Sequence, residues 1–212
     1  IRALSWNSEM AQSFDVVVIG AGGSGLRAAI SARARGKKTA IISKSLFGKA
    51  HTVMAEGGIA AAMGNVNSND NWQVHFRDTM RGGKFLNSWR MAELHAKEAP
   101  QRVWELETYG ALFDRTPDGK ISQRNFGGHE YPRLAHVGDR TGLEMIRTLQ
   151  DYGIHRGLDV FMEMTVTRLV KDGDDYAAVR RAFSNLITLQ TRAMAFAARG
   201  IERGAGSSVQ GE

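Results

Sequence analysis

The sequence predicts an α/β fold: a Rossmann-like nucleotide-binding domain with a parallel central sheet, plus helical segments. Three observations carry that expectation. Phe14 to Ile19, Phe-Asp-Val-Val-Val-Ile, is a short apolar, β-branched run of the kind buried in parallel sheets. Gly20-Ala21-Gly22-Gly23-Ser24-Gly25 follows it directly, a turn of the G-x-G-x-x-G pattern. Leu26 to Ala34 then reads as a helix ending at Gly36 as a left-handed cap, and Lys38 to Ser43 supplies a second strand. Together they make a βαβ unit of about 30 residues.

Each glycine of the turn has a distinct physical task. Gly20 permits the sharp strand-to-helix turn, Gly22 lets backbone approach a pyrophosphate, and Gly25 allows helix and strand to pack closely. The helix N-terminus adds N–H donors and positive dipole for the phosphates. The generic fingerprint then expects an acidic residue after the second strand, for the adenosine ribose. Ser43-Lys44-Ser45 stands there instead, which argues against a simple NAD domain. Its hydroxyl and ammonium groups suit ribose or phosphate contacts.

Composition narrows the classes. The chain has 212 residues, 42% hydrophobic and 24% charged, which is ordinary for a globular protein with a sizeable core. It contains no cysteine, which excludes disulfides, thiolate-bound zinc and cysteine-ligated iron–sulfur clusters here. Redox chemistry would therefore need an organic cofactor. The formal charge of +6 comes from scattered Lys and Arg with no nucleic-acid motif, so the basic groups are expected to meet cofactor phosphates or an acidic substrate or partner. No apolar run is long enough to cross a bilayer, and the N-terminus lacks the order of a signal peptide. Membrane contact is expected to be peripheral or through a partner.

Along the rest of the chain, 45–71 reads as a long binding loop with a short helical piece. Helices are expected over about Trp72 to Met80 and from near Ser88 to Tyr109, the second interrupted or bent at Pro100. Trp89, Ala92, Ala96 and Ala99 form a candidate buried stripe, and Trp104 and Leu106 are expected in the core. Asp118-Gly119 signals a turn. A helix starts in the Asp139/Thr141 region and runs to about Gln150; Val160 to Val170 alternates as a strand; 177–203 is helical in composition. His129 and His136 fit no common zinc spacing, and His75 and His95 read as helix packing residues. No metal site is expected.

His51 changes the odds. A loop histidine is usually without special role, but this one opens His51-Thr52-Val-Met-Ala-Glu56-Gly57-Gly58. With Val17 to Leu26, Ser43-Lys44, Asn71 to Met80, Phe126-Gly-Gly128 and Asp139-Arg-Thr-Gly142, that run resembles the flavoprotein subunit of succinate dehydrogenases and fumarate reductases. The wording is closest to actinobacterial-type chains, and the likeness runs unbroken from about Phe14 to Gln150.

The resemblance implies a Rossmann-like FAD-binding domain whose His51 carries the 8α-linked flavin. It implies cofactor contacts from Gly20, Ala21, Gly22, Gly23, Ser24, Gly25, Ser43, Lys44, Ser45, Thr52, Glu56, Gly57 and Gly58, with Thr165-Val166 offering backbone to the adenine. It further implies succinate oxidation to fumarate, an iron–sulfur subunit and, through it, membrane anchor subunits, at the cytoplasmic face of the bacterial inner membrane. The groups that bind the dicarboxylate cannot be placed, and neither Arg133 nor Arg140 is assigned a catalytic role. The expected organisation is a tail (1–13), an incomplete FAD-binding domain (14–176), a helical segment similar to the family's late helical domain (177–206) and a tail (207–212). Two alternatives stay open: a soluble flavin oxidase of the L-aspartate oxidase type, and a non-catalytic FAD-binding fragment.

Overall fold

The computed structural model describes residues 12–172, 175–183 and 188–191. They fall into two compact units, Ile1–Ala50 with Gln150–Glu212, and His51–Leu149.

The first unit is built on a parallel sheet. Strand β1 (Val16–Ile19) leads through the glycine turn into α1 (Gly23–Ala34), which returns to β2 (Thr39–Ile42). β1 and β2 pair in parallel, Val16 opposite Thr39 through Ile19 opposite Ile42, and β6 (Asp159–Phe161) joins β2 on its other side. The central strand β2 is buried along its whole length, as Thr-Ala-Ile-Ile predicts for a strand covered on both faces. Leu26, Ala29 and Ile30 bury one face of α1, and Gly36 ends the helix in the left-handed region at φ +76°. Phe14, Val17, Ala40, Ile42 and Met164 form the core under the sheet, with Phe161 edge-on to Phe14.

The second unit is mainly helical. Asn71 caps α2 (Trp72–Gly82) by accepting from the Gln73 and Val74 N–H groups. α3 (Trp89–Thr108) packs on it and buries Ala92, Ala96, Ala99, Val103 and Leu106. α3 runs through Pro100 without a break, which corrects the expected interruption: tertiary burial of the alanine stripe holds the turn against one lost backbone bond. Trp89 and Trp104 correct the expected core, being 53% and 46% exposed. Small strands β3 (Ile59–Ala60), β4 (Gln123–Arg124) and β5 (Leu134–Ala135) form an antiparallel sheet in the order β3-β5-β4. α4 (Thr141–His155) is a turn longer than expected.

The expected strand Val160 to Val170 is two strands in two sheets. β6 stops at Phe161, Glu163 takes φ +55°, and β7 (Met164–Asp172) pairs antiparallel with β8 (Asp175–Phe183). β9 (Thr188–Thr191) adds to β8. This overturns the helix expected from 177 onward wherever that stretch is described. Helix propensity differs by only tenths of a kcal/mol among ordinary residues, and a ladder along β7 outweighs it. The N-terminal tail up to residue 11, residues 173–174 of the expected turn, the remainder of 177–206 and the tail 207–212 lie outside the described residues.

Candidate functional site

In the first unit, three expected site segments converge on one edge of the parallel sheet. The Gly20 N–H donates to the Ile42 carbonyl at 2.8 Å, which binds the glycine turn to the end of β2. One residue further, Ser43 donates to Phe161 O at 2.8 Å and accepts from Met164 N at 2.9 Å, placing Thr165-Val166 beside Ser43. Ser43 is buried, while Lys44 and Ser45 are exposed. This is the edge outside the carboxyl ends of parallel strands, where open α/β sheets take their ligands.

The turn itself meets a strict test of fit. A Cβ at Gly25 would lie 2.1 Å from Gly20 O and 3.1 Å from Gly20 C, so α1 can start this close to β1 only with glycine there. α1 has Gly22 as its N-cap, no side-chain capping bond and no acidic residue in its first turn. Its leading N–H groups therefore face outward from a helix end with uncancelled positive dipole, the geometry a pyrophosphate requires.

In the second unit, His51 begins a one-turn 3-10 helix, His51–Met54, closed by Ala55 N donating to Thr52 O at 3.1 Å. The His51 imidazole is exposed and bonds to no other group among the described residues. The turn rests on the start of α4: Gly142 N donates to Ala55 O at 2.7 Å. Thr141, buried at the same helix start, accepts from Val137 N through Oγ1 at 3.2 Å.

Arg124 organises the next residues. Its Nε donates to Gly57 O at 2.7 Å, Nη2 donates to Glu56 O, and Nη1 pairs with Asp139 at 2.9 Å. A trans peptide points its N–H opposite to its C=O, so binding both carbonyls turns the Gly57 and Gly58 N–H groups away from the Arg124 guanidinium. Gly58, at φ +123°, lies so close to β5 that a Cβ would sit 2.8 Å from Ala135 O. Gly57 has only ordinary contact with the Phe126 ring at 3.5 Å. Glu56 is exposed, with no catalytic partner among the described residues. Sequence reasoning missed Arg124; its one signal was a position two residues before Phe126-Gly-Gly.

Arg133 is fully buried and bridges two carboxylates, Asp70 at 2.9 Å and Asp78 at 2.8 Å. Both pairs use Nη2, and Nε and Nη1 are buried without a hydrogen-bond partner among the described residues. Burial raises the Asp70 pKa despite Arg133. Beside this group His75 is 1% exposed and stacks edge-on with His95, with His129 near. Burial first, then the Arg133 charge, lowers the His75 pKa to about 4. His129 is lowered for the same reasons. His136 pairs with Asp114 through Nδ1 at 2.8 Å. Among the described residues no three His, Asp or Glu groups are arranged to hold a metal ion.

A family model described as "FAD binding domain" matches residues 15–208. The chain belongs to the FAD-binding domain family. Its homologues are succinate dehydrogenase and fumarate reductase flavoprotein subunits. One is a fumarate reductase (CoM/CoB) subunit from Methanothermobacter marburgensis, 45% identical over 173 residues, covering 81% of this chain and 32% of that protein. The mitochondrial succinate dehydrogenase (ubiquinone) flavoprotein subunit of Oryza sativa subsp. japonica is 42% identical over 170 residues, covering 76% of this chain and 27% of that one. Among solved structures, Mycobacterium smegmatis Sdh1 in complex with UQ1 matches with TM-score 0.82 and 63% identity, over 86% of this chain and 33% of that chain. The chain thus spans between a quarter and a third of these relatives, and the FAD-binding fold expected from the sequence is the fold it has. No helix among the described residues is long and apolar enough to cross a membrane.

Proposed function

We propose that this chain is the FAD-binding portion of a succinate dehydrogenase flavoprotein subunit, with FAD held covalently through His51. The observation that carries this reading is His51 itself: an exposed imidazole with no partner among the described residues, on a short turn seated on α4, in a chain whose homologues are succinate dehydrogenase and fumarate reductase flavoproteins. A structural histidine would be expected to bond something.

The chain's residues divide the work. Gly20 to Gly25 and the start of α1 hold the pyrophosphate; Ser43, Lys44 and Ser45 contact ribose and phosphate, the lysine adding charge neutralisation; Thr165-Val166 offers backbone to the adenine. Thr52 and the backbone of Glu56, Gly57 and Gly58 supply donors to the flavin edge, and Arg124 fixes the peptide orientation that presents them. His51 would hold the cofactor by a bond from an imidazole nitrogen to the 8α carbon, formed with loss of one hydrogen from each partner and with dioxygen as the two-electron acceptor. A flavin held there would supply hydride acceptance and one-electron transfer.

The expected partners are an iron–sulfur subunit and, through it, membrane anchor subunits at the cytoplasmic face of the bacterial inner membrane, with a dicarboxylate as substrate. Acid precipitation tests the tether. Flavin fluorescence that stays with the precipitated protein, and is lost in His51→Ala, is the expected result; full release of FAD from the parent chain would favour a dissociable flavin oxidase instead.

A further inference from the structure

His51 has no side-chain partner among the described residues, so what sets its position and Cα–Cβ direction is the backbone of its turn. A contact with α4 holds that backbone. Gly142, the second residue of α4, donates its N–H to Ala55 O at 2.7 Å, and Ala55 N closes the turn onto Thr52 O at 3.1 Å. A Cβ at residue 142 would fall 2.0 Å from Thr52 O, 2.9 Å from Ala55 O and 3.0 Å from Ala55 Cβ. The oxygen that closes the His51 turn is thus the atom against which α4 abuts, and only hydrogen fits between them.

Gly153, in the same helix, provides the contrast. A Cβ there would meet Leu158 Cδ1 at 2.6 Å, the far end of a side chain that can rotate away. At residue 142 the obstacles are two backbone carbonyls, which move only if the turn moves. Restoring ordinary Cβ to oxygen contact requires a shift of about 1.4 Å or more, and misplacement by about 1 Å already lowers a reaction that depends on alignment about 100-fold.

We propose that Gly142 is a positioning residue for flavin attachment: its lack of a side chain seats the His51 turn on α4 and thereby aims the imidazole. The inference rests on the reading of His51 as the tether. It predicts that a side chain at 142 separates FAD binding from FAD attachment, since the turn at Gly20 to Gly25 is untouched.

The test uses the full chain purified as holoprotein, with total FAD measured by absorbance, covalent FAD by fluorescence after acid precipitation, and folding by thermal melting. Gly142→Ala is expected to retain bound FAD that acid releases, with its covalent fraction at least tenfold below the parent. Gly153→Ala is expected to keep its covalent fraction within about twofold of the parent. A Gly142→Ala protein tethered like the parent would overturn the proposal. So would equal loss of tethering in Gly153→Ala, or loss of all FAD from a folded Gly142→Ala protein.

Thr141→Ala carries the test if Gly142→Ala does not fold. It loosens the start of α4 by removing the acceptor for Val137 N, and is expected to slow attachment two- to fivefold when FAD is added to apoprotein. An unchanged rate contradicts the proposal. A parent chain with only acid-releasable FAD would instead remove the reading of His51 itself.

Discussion

Gly25 and His51 illustrate two ways in which a single residue can be indispensable. Gly25 matters for what it lacks. Its hydrogen faces Gly20 O where a methyl group would stand 2.1 Å away, so any side chain drives the start of α1 off β1. Overpacking of that kind costs about 1–3 kcal/mol, and here it also moves the N–H groups offered to the phosphates. Gly25→Ala is expected to weaken FAD binding by apoprotein at least tenfold in a titration; unchanged affinity would mean that the turn does not hold the pyrophosphate. His51 matters for what it presents, an imidazole unengaged among the described residues, on a backbone held from outside by Gly142. Both residues stand out in the sequence by their motifs. Arg124 does not, because its role lies in two backbone carbonyls 67 and 68 residues away, and no spacing announces that.

At the scale of elements, α2 and the segment leading into β5 are joined by a buried charge cluster. Arg133 with Asp70 and Asp78 is held by ion pairing; removing the cation would leave two buried carboxylates uncompensated, a loss of about 3–5 kcal/mol. His75 sits beside this charge and is lowered to about 4 from 6.5. The fold therefore prefers neutral His75 and binds fewer protons than the unfolded chain between those values. The resulting stability is complete above pH 6.5 and is lost as pH falls toward 4, by an amount on the order of 3 kcal/mol. His95, His129, Asp78 and Arg133 share the environment, and Asp70, raised by burial, works in the opposite sense, adding stability as pH falls through its raised value toward 3.8. His75→Phe keeps a ring against His95 but cannot titrate. Its melting temperature is expected to fall less steeply than the parent's between pH 6.5 and 4; parallel curves would show that His75 is not the sensitive group.

The same scale shows where sequence patterns mislead. Pro100 reads as a helix break, yet α3 continues because Ala96, Ala99 and Val103 stay buried on either side of it. The stretch from residue 177 reads as helix from its alanines and arginines, yet β8 forms because β7 offers a long ladder from Met164 to Asp172. Composition reports local preference, whereas pairing with a distant strand is invisible to it. The split at Glu163 was hidden for a related reason: alternation continues across the turn that moves the chain from one sheet to another.

For the whole molecule, what was legible was whatever is local and strict. The glycine turn, the cap at Gly36 and the helical piece at His51 depend on residues within a few positions of one another, and the βαβ unit closes within about 30 residues. The seating of the His51 turn on Gly142, the carbonyl clamp of Arg124 and the buried Arg133 cluster join residues 50 to 90 positions apart, and appear only in three dimensions. The motif Asp139-Arg-Thr-Gly142 could be matched to a family from sequence, but its physical purpose could not.

The central claim, that His51 carries the flavin, is tested most directly by mass spectrometry of the proteolytic peptide that contains it. That peptide from the holoprotein is expected to be heavier by one FAD less two hydrogen atoms, with fragment ions placing the addition on His51. An unmodified His51 peptide, with all FAD recovered in the acid supernatant, would contradict it.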